Sequence, residues 1–178
     1  KAKKAVVAKD TRVSGDVIES ALISGLISCG VDVLLAGVVP TPVCAYAVKK
    51  FGADVGFMIT ASHNPPQYNG IKVFNNGCIS YTDADQEAVE KIAAQKSFLF
   101  SDWKKLGKVT SIYAEDAYLE MLLGAFSLKK QWRIIVDPGC GATFKLAPQL
   151  LKALGCEVTT INSQPDGFFP ARKSEPTS

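Results

Sequence analysis

Thr60-Ala61-Ser62-His63-Asn64-Pro65-Pro66-Gln67-Tyr68-Asn69-Gly70-Ile71-Lys72 is a polar loop set between two apolar runs. Before it, Val55 to Ile59 reads as a buried strand; after it, Ile71 to Phe74 reads as another. The loop holds a serine hydroxyl, the only histidine of the chain, a Pro-Pro pair and an Asn-Gly turn. In α/β proteins, polar loops at the ends of apolar strands are where ligands bind.

Working outward, Ala5 to Ala8 is a strand candidate that ends in the polar turn Lys9-Asp10-Thr11-Arg12. Ser14 is placed to cap a helix whose apolar positions Ile18, Ala21, Leu22, Gly25, Leu26 and Cys29 share one face. Gly30 stops it, and Val31 to Leu35 is a second strand. Thr41 as cap with Pro42 at the first helical position starts another helix, which runs to about Lys50. The order β-α-β-α-β predicts a mainly parallel sheet with right-handed crossovers, flanked by helices. Asp10, Arg12, Ser62 and His63 then fall at the carboxyl ends of strands, on one sheet edge.

Beyond Phe74, Asn75-Asn76-Gly77 signals a hairpin with Cys78-Ile79-Ser80 as the return strand. Thr82 caps a helix from Asp83 to about Gln95. Ser97 to Gly107 is irregular, with Trp103 as its expected anchor, and leads out of the first domain. Ala114 to Phe126 is an amphipathic helix expected to pack through Leu119, Leu122, Leu123 and Phe126. A second α/β unit starts at Arg133 to Val136. Asp137 to Ala142 turns it into a helix ending near Leu154, and Cys156 to Ile161 is its next strand. The expected division is residues 1–108 and 109–178, the second domain being incomplete because one βαβ unit is too small to close a sheet.

Nearly half of the 178 residues are hydrophobic, at 47%, which calls for a packed globular chain. A net charge of +3 with interspersed signs gives no reason to expect nucleic acid, though it suits a small anion. There is no apolar run of membrane-spanning length and no signal-peptide pattern, so no membrane partner is expected. The five cysteines lack zinc-like spacing and lie mostly in apolar segments, which fits a reduced, cytoplasmic setting. Both ends read as cuts through a longer protein.

A serine hydrolase is a poor reading of Ser62. The Gly-x-Ser-x-Gly elbow is missing, and adjacent residues in extended chain point opposite ways, so His63 is badly placed as its base. Phosphate chemistry fits better. Asn64 supplies amide donors, His63 can carry a proton, and Lys72 and Arg12 are cations for a phosphorylated Ser62. The glycine turn at Asp137 to Ala142 has neither P-loop nor dinucleotide spacing and reads as a tight strand-to-helix turn.

The stretch Thr60 to Lys72 resembles the phosphoserine loop of the α-D-phosphohexomutase family, the phosphoglucomutases and phosphomannomutases. Lys9-Asp10-Thr11-Arg12 resembles the family's Arg-Asp-Thr-Arg turn, with Lys9 in place of Arg. Asp137-Pro138-Gly139-Cys140-Gly141-Ala142 resembles the turn opening its second domain. Pro165-Asp166-Gly167-Phe168-Phe169-Pro170-Ala171-Arg172, followed by Glu175-Pro176, resembles the segment beyond. The resemblance implies phosphate transfer between carbons 1 and 6 of a hexose, interconverting its 1-phosphate and 6-phosphate. Ser62 would carry the phosphate, and a hexose 1,6-bisphosphate would be intermediate and activator. It implies magnesium at the Ser62 phosphate, proton transfer and phosphate stabilisation by His63 and Lys72, and loop support from Asp10 and Arg12. The Pro66-x-Tyr68-Asn69 form of the loop is closer to the glucose and mannose branch than to the glucosamine branch. The family's Asp-Gly-Asp-x-Asp-Arg metal loop does not occur here. The remaining magnesium ligands are therefore expected on further domains of a parent protein, and this chain alone is expected to be inactive. The alternative is a noncatalytic module that binds a sugar phosphate or a partner chain.

Overall fold

The structure, a computed structural model, describes residues 2–172. Glu175 and Pro176 of the last motif lie outside the described residues, as does Lys1. Five strands form the first sheet in the order β4-β3-β1-β2-β5. They are β1 (Lys4–Lys9), β2 (Asp32–Val38), β3 (Val55–Ile59), β4 (Ile71–Asn75) and β5 (Val109–Ser111). β1 is parallel to β2 and β3, β2 is parallel to β5, and β4 runs antiparallel to β3. The sheet is thus mixed and mainly parallel, with helices on its faces.

Strand β1 explains why both faces are covered. Val6 and Ala8 pack with Met58 and Phe74 against Val43, Cys44, Ala47 and Val48 of α2 (Thr41–Lys50). Val7 points the other way and joins Val33, Ile59 and the half-buried Ile18, Leu22 and Leu26 of α1 (Gly15–Ser28). A strand buried on both sides reads as a continuous apolar run rather than an alternating one. Burial pushes the Cys44 thiol up to about 12, so it behaves as a small hydrophobe.

Helix α3 (Asp83–Ala94) buries none of its residues. A 3-10 turn at Trp103–Lys105 follows, and Trp103 is 78% exposed rather than an anchor, with Lys104 Nζ over its ring. The chain then adds β5 to the first sheet, an edge strand of three residues too short to show a pattern. Helix α4 (Ala114–Ala125) packs through Tyr118 and Leu119, whereas Leu123 and Phe126 face solvent. The second unit holds the parallel pair β6 (Arg133–Val136) and β7 (Glu157–Thr160) with α5 (Leu146–Ala153). α5 starts later than its glycine turn suggests, because Gly139 and Cys140 sit at φ 58 and 61. That backbone cannot be helical.

Three local expectations change. Ser14 stands at the cap position of α1 as expected, but its Oγ makes no bond to the helix and accepts from Asn69 Nδ2 at 3.0 Å instead. α2 is capped by Pro40, with Thr41 and Pro42 already inside it. The return strand after the Asn75 turn shrinks to one bridge, Phe74 to Ser80, because the Asn75 side chain gathers the Gly77 and Ile79 N–H groups into a tight turn.

Candidate functional site

Three turns meet at the carboxyl edge of the first sheet: residues 10–14 after β1, 60–70 after β3, and the 138–143 turn of the second unit. The first holds the second. Arg12 is 2% exposed and directs all five guanidinium N–H groups at protein oxygens. Nε donates to Asp10 Oδ2 at 3.1 Å. Nη1 donates to the carbonyls of Pro65 and Tyr68 at 2.7 and 2.9 Å, and Nη2 to those of Ser62 and Asn64 at 2.9 and 2.8 Å. A planar, rigid fork suits this convergence of carbonyls; a lysine ammonium would not. The ion pair with Asp10 and the loop clamp exist together, and the guanidinium is the loop's scaffold rather than a cation turned toward a ligand.

Ser62 itself is exposed and sits at φ 56, in the left-handed region. For a non-glycine residue that conformation costs about 1–2 kcal/mol. Its N–H donates to Thr60 Oγ1 at 2.9 Å, and Thr60 Oγ1 donates to Asp10 Oδ2 at 2.6 Å. Asp10 Oδ1 accepts the Arg12 backbone N–H at 3.0 Å. The strained serine is thus tied, through a buried threonine, to the carboxylate that holds Arg12.

The cavity before Ser62 has a volume of about 510 Å³. Asp10, Thr11, Thr60, Ser62 and His63 form one wall, and Gly139, Thr143, Phe169 and Arg172 belong to the other. Thr11 Oγ1 is buried there without a hydrogen-bond partner among the described residues, which leaves a hydroxyl for a polar ligand. Arg172 lies 3.8 Å from Asp137 Oδ2, its guanidinium against Gly139. The structure therefore brings Asp10, Arg12, Ser62, His63 and Asn64 together. Lys72 stands apart. It is exposed on β4 opposite Met58 and lines a separate cavity with Tyr81 and Gln86. Thr60 and Phe169 were quoted in the sequence motifs without a role; the spacing of Thr60, two residues before Ser62, was the available signal.

The described residues contain no group of three or more His, Cys, Asp or Glu side chains able to hold a metal ion. Both Asp10 oxygens are already occupied by Arg12 and Thr60. These residues do not make a magnesium site. No described helix is long and apolar enough to cross a membrane.

This edge, with its clamped serine loop, coincides with two matched family domains. Residues 1–100 match the phosphoglucomutase/phosphomannomutase alpha/beta/alpha domain I and residues 116–178 match domain II. The chain belongs to the phosphoglucomutase/phosphomannomutase family. It is 43% identical over 175 residues to the phosphoglucosamine mutase of Methanococcus vannielii, covering 98% of this chain and 39% of that protein. It is 44% identical over 171 residues to a Methanothermobacter thermautotrophicus protein named "Probable phosphoglucosamine mutase", covering 96% of this chain and 38% of the relative. Among solved structures, a phosphoglucomutase/phosphomannomutase family protein from Burkholderia thailandensis superposes with a TM-score of 0.86 at 35% identity, over 99% of this chain and 39% of that one. The chain thus spans about two fifths of the length of these family members.

Proposed function

We propose that the chain carries the nucleophile of a hexose-phosphate mutase, with Ser62 as the phosphate carrier. The observation that bears most on this is Ser62 held at φ 56 by the Thr60–Asp10–Arg12 network while its side chain stays exposed at the cavity. A structural serine has no need of a buried clamp that presents it to open space. In the forward half-reaction a sugar hydroxyl oxygen attacks phosphorus, the bond from phosphorus to Ser62 Oγ breaks, and the hydroxyl proton is relayed through a base to Ser62 Oγ. The return half-reaction rebuilds the Ser62 phosphate from the other position of the bisphosphate and leaves a proton on the freed sugar oxygen. His63 lines the same cavity and is assigned the proton, and Thr11 is assigned to sugar or phosphate oxygens; Asn64 belongs to the loop that Arg12 holds through its carbonyl. Lys72, which lines a separate cavity, is given no step here. Arg12 and Asp10 act by holding the loop. Magnesium, part of the expectation from the resemblance, would need ligands beyond the described residues.

The curated relatives are named for glucosamine phosphate. We weigh that above the Pro66-x-Tyr68-Asn69 preference for glucose or mannose and rank glucosamine phosphate first. The deciding measurement is intact mass and peptide mapping after incubation with glucosamine, glucose and mannose 1,6-bisphosphates in turn. The expected result is one phosphate on Ser62, fastest from the glucosamine compound, with none on Ser62→Ala. The chain alone is expected to show no multiple turnover, since it spans about two fifths of the length of its relatives and the magnesium ligands would lie beyond the described residues. Phosphate on another residue, with Ser62 unlabelled, overturns the reading.

A further inference from the structure

The motif Asp166-Gly167-Phe168-Phe169 belongs to the second unit, yet it is seated on the first. Gly167 is buried against the backbone of the Arg12 turn. A Cβ there would lie 2.5 Å from both the Thr11 carbonyl oxygen and the Val13 nitrogen. The next residue, Phe168, is 72% exposed. Phe169 then turns inward, and its ring centroid lies 5.3 Å from Arg12 Cζ. To do so it adopts φ 50, a left-handed backbone that a phenylalanine rarely takes. The turn is held by Phe168 N–H to Asp166 Oδ1 at 2.9 Å, and by Asp166 N–H to the Cys140 carbonyl at 3.1 Å. That carbonyl lies in the glycine turn forming the far wall of the cavity.

We propose that this turn is a wedge by which the second unit sets the Ser62 loop, with Phe169 as a positioning residue acting through Arg12. Arg12 exhausts its N–H donors in its own plane, on Asp10 and four loop carbonyls. Its Cζ lies over the Phe169 ring, where a cation–π contact stabilises the charge and the ring keeps water from competing for the N–H groups. The glycine allows the close approach, and the strained phenylalanine completes it. Strain of this kind persists where the surroundings over-determine it, at sites that need a fixed geometry. A shift of the second unit would uncover Arg12 and loosen the carbonyls of Ser62, Asn64, Pro65 and Tyr68 together. The position of the cavity's far wall and the order of its nucleophile are thereby one variable.

The test uses this chain and amide hydrogen exchange. In Phe169→Ala, exchange at the Ser62, Asn64 and Tyr68 amides is expected to rise roughly tenfold, while Val6 and Phe57 in the sheet stay unchanged. Phe168→Ala, one residue away and exposed, is expected to leave all of them within about twofold. Phe169→Tyr keeps the ring and is expected to restore protection. Should Phe169→Ala fail to fold, Phe169→Leu and Gly167→Ala carry the test, the second displacing the wedge without altering the ring. A second readout rests on the mutase reading: the rate of Ser62 phosphorylation from a hexose 1,6-bisphosphate falls about tenfold in Phe169→Ala at unchanged half-saturation. If no variant is phosphorylated, the mutase reading fails and the exchange data still decide the wedge. Unchanged loop exchange in folded Phe169→Ala or Phe169→Leu, or an equal response to Phe168→Ala, overturns the proposal.

Discussion

Arg12 is buried, charged and fully paired, and those properties belong together. A guanidinium taken out of water is tolerated only where every N–H finds an oxygen. Here the oxygens come from Asp10 and from a loop 50 to 56 residues away, so one side chain decides the path of the nucleophile's backbone. Removing the charge strands four carbonyls and the Asp10 carboxylate. Arg12→Met is expected to lower the unfolding free energy by about 3–5 kcal/mol. Arg12→Lys is expected to lower it by about 2 kcal/mol, because an ammonium cannot span the fork. Urea melts of both variants measure this. A lysine variant within about 0.5 kcal/mol of the wild type would show that the carbonyls are satisfied without the fork. Lys9, one residue before Asp10, makes a related contact with Asp16 and Glu19, both at 2.6 Å. Burial opposes its charge, but hydrogen bonds and Coulomb attraction from the two carboxylates outweigh that and raise its pKa.

Among the elements, α3 depends most on its own ends. It buries no residue, so its cap matters more than in a packed helix. Thr82 and Asp85 form a reciprocal capping box, with Thr82 Oγ1 accepting from Asp85 N–H at 3.3 Å and Asp85 Oδ2 accepting from Thr82 N–H at 2.9 Å. Hydrogen bonds from the Thr82 side chain and then its backbone hold the Asp85 carboxyl below its ordinary value. A depressed folded pKa contributes stability that is present above the unfolded value and lost as pH falls through the folded one. Helix α3 is therefore expected to fray below pH 3.8, ahead of α1 and α2, as seen by residue-resolved NMR at Val89 and Ile92. Thr82→Ala is expected to remove that step and to cost about 1 kcal/mol of local helix stability at neutral pH. An α3 that melts together with the sheet in acid would contradict it. This cap was legible in the sequence, because both partners lie within three residues. The same holds for β1 to β4, whose apolar runs and turns are local signals. The capping bond expected of Ser14 and the start expected at Thr41 were decided elsewhere. Asn69, across the sheet edge, takes the Ser14 hydroxyl, and Pro40 already supplies the extended residue before α2. β5 has three residues and its sheet partner lies far back in the chain, so local pattern had nothing to register. At the site, Ser62 and Arg12 were legible through their motifs. Thr60 as a link and Phe169 as a cover depend on contacts that only the folded chain makes.

At the scale of the molecule, the two units are joined on both sides of the cavity region. Phe169 and Gly167 meet the Arg12 turn on one side. On the other, Glu115 at the start of α4 pairs with Lys145, the residue before α5, at 2.6 Å. The pair is asymmetric. Glu115 is buried, and its Oε1 has no hydrogen-bond partner among the described residues. The Lys145 side chain is 46% exposed, and its pKa is raised chiefly by the hydrogen bond it donates to Glu115. Solvent screens the lysine half, so the attraction itself is modest. The two partners should therefore not be equally sensitive. Lys145→Ala leaves a buried carboxylate uncompensated and is expected to cost about 2 kcal/mol. Glu115→Gln removes the buried charge, leaves the lysine in water, and is expected to change stability by less than about 1 kcal/mol. Lys145→Ala should also loosen α5 relative to α4, read as faster exchange at the α5 amides with β1 and β3 unaffected. If the two substitutions cost the same, the pair acts as an ordinary surface ion pair and the units are held together by their apolar contacts alone. If Lys145→Ala is the more damaging, as burial of Glu115 requires, the lysine is what permits a carboxylate to sit in the seam between the two units.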